Sequence, residues 1–171
     1  MEKKLWTIKI IFMAFFISLM FSFTTEIVMP KVNVLISIIL LVLFIIIGII
    51  FDMVGVAVTT CNVKAFHAMS SKKIKFAKTG IRLINNSAKV SSFCNDVIGD
   101  ICGIVSGSSG VIISGSISSL LGINSFVVSL IITSLIAALT IGGKAYGKGV
   151  ALKNSTKIVV LFSKMIYKFY K

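Results

Sequence analysis

Between Val34 and Thr59 the chain carries an apolar run in which no charged residue falls from Leu35 to Phe51. A run of this kind is long enough to cross a bilayer as a helix. In hydrocarbon every backbone N–H and C=O must be bonded within the segment, which leaves helices as the natural solution. Composition says the same of the whole chain: 57% of its 171 residues are hydrophobic, 13% are charged, and the mean hydropathy is +1.05. Soluble domains are about a quarter charged. With one proline and 13 glycines there is little material for disordered linkers. The expectation is one compact all-α, polytopic membrane bundle.

Three further spans fit around the first. An apolar stretch from Leu5 to Thr24 ends at Glu26, Pro30 and Lys31. A basic start followed by an apolar run also describes a cleaved signal peptide. Its length, and the absence of a small-x-small site near Thr24, Thr25 and Glu26, favour a retained helix over residues 1–30. Another span runs from about Ser92 to Leu121, with Gly99, Gly103 and Gly107 at four-residue spacing, a pattern that lets helix backbones approach closely in lipid. Within it, Ser106 to Gly110 is expected to kink or open the helix. Gly122-Ile123-Asn124 reads as a tight turn, and the last span follows from Phe126 to about Ile141, closed by Gly142-Gly143.

The net charge of +13 raises nucleic-acid binding, but the positions of the charges argue against it. Lys3, Lys4 and Lys9 open the chain; seven Lys and Arg lie between 61 and 91, seven between 143 and 171, and Lys31 stands apart. Cationic clusters alternating with apolar spans are the positive-inside pattern, so both termini are expected in the cytoplasm of a multi-pass cell-membrane protein. Residues 62–90 place Ile74, Ala77, Ile81 and Ile84 on one helical face and Lys75, Lys78 and Arg82 on another. That is an amphipathic helix suited to a membrane interface with anionic head groups. Residues 150–171 repeat the pattern with Val159, Leu161, Phe162, Met165 and Ile166 above Lys164, Lys168 and Lys171. The three cysteines, Cys61, Cys94 and Cys102, have no metal-type spacing and read as packing residues. His67, the only histidine, reads as a surface residue.

Five residues are acidic: Glu2, Glu26, Asp52, Asp96 and Asp100. The last three fall inside spans, where a carboxylate costs about 2.5–3.5 kcal/mol on insertion scales and normally faces a polar cavity. Asp96 and Asp100 are four apart and share a helix face. At about 1.5 Å per residue, Asp52 and Asp100 each lie about 13–14 Å from the basic end of their antiparallel spans. With Asn95, Ser91 and Ser92 nearby, the oxygens suit a hard cation, Mg²⁺ above all. Three other readings stand beside this one: polar glue between helices, a proton relay, and pairing of Asp52 with an interfacial lysine such as Lys64. No soluble framework exists for a hydrolase constellation, and no enzymatic activity is expected.

The order of features resembles the transmembrane domain of the cyclin-M and CorB/CorC family of magnesium transporters. The segment Phe51-Asp52-Met53-Val54-Gly55-Val56-Ala57 stands where that family has a Phe-Ser-Gly-Ser-Glu-Thr-Ala-like stretch, and Asn85-Asn86 answers its Asn-Pro turn. Ser91-Ser92 ahead of Gly99-Asp100 matches a span that begins with Ser and carries Gly-Asn-Asn. Gly142 to Lys148, followed by Ala151 to Asn154, stands for the closing Gly-Glu-x-x-Pro-Lys motif, without its Glu and Pro. The resemblance implies a homodimer of three-helix cores, here residues 31–171 behind the N-terminal helix, with a cation bound near the cytoplasmic side. Carried over, the ligand positions are Asp52, Ser92, Asn95 or Asp96, and Gly142. The family's paired cytosolic nucleotide-binding modules are not expected. Divalent-cation transport is the leading expectation, and a non-transporting membrane subunit, held to a partner protein by the glycine ridge, is its rival.

Overall fold

The computed structural model describes residues 2–169. Met1, Tyr170 and Lys171, the last of these counted in the basic tail, lie outside the described residues, as do the side chains of residues 2–5, which include Glu2, Lys3 and Lys4. Among the described residues the chain is helical and contains no strand. Helix α1 spans Glu2–Val28 and passes through a 3₁₀ turn, Met29–Lys31, into α2, Val34–Thr60. Short helices α3 (Val63–Ser71), α4 (Ala77–Asn85) and α5 (Ser87–Ser92) follow. A π-helical segment, Phe93–Gly99, then joins α5 to α6, Asp100–Leu121. Helices α7 (Ser125–Lys153) and α8 (Ser155–Phe169) complete the chain.

Four helices are long and apolar enough to cross a membrane: Trp6–Lys31, Val34–Thr60, the continuous rod Ser87–Leu121, and Ser125–Lys153. They run alternately up and down. Gly48 of α2 meets Gly99 and Cys102, and Gly55 meets Asn95, so α2 is antiparallel to the rod. Ile49 lies against Gly143 and Gly147 of α7, and Met53 against Gly147, so α7 is parallel to α2. The rod is the centre of the bundle, with 56% of its most apolar window buried against 6–22% for the other three.

Small residues put it there. A helix rich in Gly and Ser lets its neighbours approach, and its hydroxyls must be satisfied without water. Those of Ser106, Ser109 and Ser114 are buried and donate to carbonyls of their own helix, at Cys102, Val105 and Val111, each at 2.7 Å. The expected opening of the helix at Ser106–Gly110 therefore does not occur: these hydroxyls bond to backbone carbonyls three and four residues back, and α6 continues to Leu121. Gly122, at φ +66°, closes it in the left-handed conformation that glycine adopts at lowest cost. The glycine ridge also divides. Gly99 faces α2, whereas Gly103 and Gly107 have open space where a side chain would stand.

Two boundaries differ from expectation. Residues 62–90 form three short helices, because Asn62 caps α3 through Lys64 N–H at 2.9 Å, a left-handed residue at Lys73 stops it, and Asn86 turns the chain again between α4 and α5. The buried positions of α4, Ala77 and Gly80, pack inside the protein, against a fully buried Phe66 of α3 and against Ser163 of α8. The last long helix does not end at Gly142-Gly143 but runs on to Lys153, and Gly143 and Gly147 seat Ile49 of α2. All three cysteines are buried and free, as packing residues should be. Burial pushes the Cys61 thiol up, and its contact with the Thr156 hydroxyl partly offsets this.

The basic segments collect at one end of the bundle. Lys89 lies over the ring of Trp6 at 5.2 Å, and Cys61 reaches Thr156 at the start of α8. The apolar cluster beneath them joins Val54, Ala57 and Val58 of α2 to Phe66, Cys94, Ala151 and Val159.

A side chain at Gly55 would collide with the Asn95 amide, and overpacking of this sort costs about 1–3 kcal/mol. Gly55→Leu is expected to lower the thermal midpoint in detergent by about 3–10 °C. Gly103→Leu, built into open space, should leave it unchanged or raise it.

Candidate functional site

Asp52 lies on the inner face of α2 and is 4% exposed. Three residues on, one turn along the same face, Gly55 leaves the space that the Asn95 side chain fills. Asn95 belongs to the π segment, whose wider turn changes the register of the rod just where it passes α2; such segments occur often at functional sites. Asn95 Nδ2 donates to Ser91 Oγ at 3.4 Å, which leaves Asn95 Oδ1 buried with no partner. Asp52 Oδ2 is likewise buried and accepts no hydrogen bond. Thr140 Oγ1 and Ser163 Oγ are also buried without a hydrogen-bond partner, but Asp52 alone is a carboxylate, and a buried carboxylate oxygen without a hydrogen bond calls for a ligand or a movement.

The counter-charge comes from α7. Lys148 Nζ stands 3.9 Å from Asp52 Oδ2, close enough for ionic attraction but too far for a hydrogen bond, and its side chain is half-exposed. One turn earlier, Lys144 Nζ donates to Asp100 Oδ1 at 3.0 Å. Its ammonium passes over Gly99, where a Cβ would lie 3.7 Å from Nζ. Asp100 is exposed, on the wall of the groove beside α1.

The structure separates the expected acidic centre. Asp96 and Asp100 do share a face, but it is an exposed one that looks into a groove of about 640 Å³ beside α1. There they lie along the same walls as Ser18, Ser22, Phe15 and Glu26. Among the described residues no three His, Cys, Asp or Glu side chains come within reach of one metal ion. Asp52 is instead grouped with Asn95 and Lys148. Ser92 ends α5, half-buried, one residue past the Ser91 that bonds Asn95. Gly142 is exposed on α7 with open space around it, outside this group. Lys64, the suggested partner of Asp52, sits exposed on α3, and His67 is exposed on the same helix.

Lys144 and Lys148 were hidden in the sequence by the glycine pair before them, which reads as a helix end. Their four-residue spacing was the available signal, since it puts two ammoniums on one face of any helix that continues. The π segment has no comparable signature.

Comparison with models of protein families, with curated proteins and with solved structures finds no match to this chain.

Lys148→Met strands the Asp52 carboxylate in an apolar setting. The ammonium is half-exposed, so the loss is expected at about 1–2 kcal/mol rather than the larger values of fully buried pairs. Adding Asp52→Asn should recover most of it, giving a coupling of about 1 kcal/mol in a double-mutant cycle read by thermal melts.

Proposed function

We propose that this chain is a multi-pass membrane protein that carries a small cation, Mg²⁺ foremost, through the polar centre formed by Asp52 and Asn95 between α2, the π segment and α7. The observation that carries the reading is the pair of buried oxygens without a hydrogen bond, Asp52 Oδ2 and Asn95 Oδ1. Mg²⁺ commonly keeps several waters and takes one or two carboxylates from protein, so one carboxylate and one amide oxygen fit a partly hydrated ion. Large apolar side chains stand exposed along α1, α2 and α7, among them Phe12, Phe16, Leu35, Ile39, Leu135 and Ile141. An apolar surface of that extent belongs against lipid. With the basic end toward the cytoplasm, both termini lie there too. The resemblance to the cyclin-M and CorB/CorC transmembrane domain points the same way.

In this reading Lys148 is the resident cation. An arriving ion competes with its ammonium for Asp52, and the ammonium, already half in solvent, moves outward. The carboxylate is then never left without a positive partner, which keeps its desolvation cost low.

A second reading, a membrane subunit that transports nothing, is favoured by the open space at Gly103 and Gly107, where another helix would fit closely. Recovery of a stoichiometric partner from native membrane, with no flux from the isolated chain, would establish it.

In proteoliposomes Asp52→Asn is expected to lower Mg²⁺ flux at least tenfold, the scale of about 1.4 kcal/mol in ion binding. Asp96→Asn should retain most of the flux. Equal flux from wild type and Asp52→Asn removes the assignment.

A further inference from the structure

At the basic end, outside the Asp52 centre, an open pocket of about 500 Å³ is lined by Ser70, Lys73, Ile74, Lys75, Lys78 and Tyr167. Its volume is in the range of small-molecule sites, about 300–1,000 Å³. Every side chain in it except Ile74 can donate a hydrogen bond, and three carry a full positive charge. The sequence has no Asp or Glu from 53 to 95 or from 101 to 171. Among the described residues the ion pairs are those of Lys144 and Lys148, so none of the three pocket lysines has an acidic partner. The fourth neighbouring cation, Lys164, is drawn over the Phe76 ring at 5.2 Å instead.

The backbone that brings these lysines together is conformationally costly. Lys73 N–H bonds Ser70 O at 2.9 Å and Ile74 N–H bonds Met69 O at 3.1 Å, the two bonds of a Schellman ending. The residue at its left-handed position, φ +58°, is Lys73, where glycine is the usual occupant. A non-glycine side chain there costs of order 1 kcal/mol. Stability alone would place glycine at 73; the lysine adds an ammonium to the pocket.

We propose that this pocket binds a phosphate-bearing anion, the headgroup of an anionic phospholipid. Several lysine point charges with two hydroxyl donors suit a phosphoryl group, whose oxygens accept on several sides. A lipid is favoured over free phosphate because the pocket lies at the basic end of a bundle whose four long helices are apolar enough to cross a membrane and expose large apolar side chains. That choice of source rests on the bilayer reading; the phosphate chemistry does not, and neither depends on cation transport.

The test uses the full chain in uncharged detergent micelles and follows its thermal midpoint. Phosphatidylglycerol is expected to raise the midpoint by about 3–5 °C, through binding to the folded state alone, and phosphatidylcholine is not. Lys73→Gly should lose more than half of that shift while its lipid-free midpoint stays at or above the wild-type value. Lys78→Gln, on the exposed face of α4, should lose a similar share. Lys153→Ala, which removes the same charge from the end of α7, should keep the full shift. The proposal fails if Lys73→Gly and Lys78→Gln respond to phosphatidylglycerol as wild type does. It fails equally if Lys153→Ala loses as much as they do, since diffuse charge attraction would then account for the binding. Inorganic phosphate giving as large a shift as phosphatidylglycerol overturns the lipid as the source.

Discussion

The contact of Gly55 with the Asn95 side chain, and of Gly48 with Gly99 and Cys102, holds α2 against the central rod, and the rest of the bundle is arranged around it. Without a Cβ at 48 and 55 the two helices approach closely enough to bury Asp52 and to exclude partners from two oxygens. Helix α7 then packs on the other flank of α2 by the same device, with Gly143 and Gly147 receiving Ile49 and Met53. For helices that cross a bilayer, where lipid offers no hydrophobic gain on association, such close packing is the main attraction available. Hence Gly48, Gly55, Gly99, Gly143 and Gly147 are found where helices meet, and many bulky apolar residues face outward.

That packing decides the electrostatics. A carboxylate buried between helices must be neutralised, and α7, parallel to α2, has lysines at the matching level. The two pairs are unlike. Lys144 makes a direct, exposed hydrogen bond to Asp100, whereas Lys148 stands off from a buried Asp52. The first pair is bonded and exposed; the second leaves a buried acid attracted to an ammonium without a hydrogen bond.

Much of the architecture is legible in the sequence, because long apolar runs dictate spanning helices and serine-glycine content dictates which helix is central. Two things are not. Local breaker rules mislead at Gly142-Gly143, where the helix continues with Gly143 packed on Ile49, and so the lysines beyond it look like a tail. Helical phase is the other. Counting residues from the basic ends puts Asp52 and Asp100 at comparable depth, yet depth does not say which way a side chain faces. The π segment intervenes between the end of α5 and Asp100, and a change of register there cannot be counted from pattern alone. The carboxylates that spacing groups together thus divide between an inner centre and an outer groove.

The two polar regions of the protein follow opposite rules. At the Asp52 centre acceptors exceed donors: two buried oxygens have no hydrogen-bond partner, and the nearest ammonium is out of bonding range. At the basic end donors exceed acceptors, since no acid lies in the sequence between 53 and 95 or after 100. Moving Lys148 fully onto Asp52 would satisfy the carboxylate oxygen and leave Asn95 Oδ1 as before. The lysine's half-exposed position instead leaves Asp52 Oδ2 with ionic attraction and no hydrogen bond.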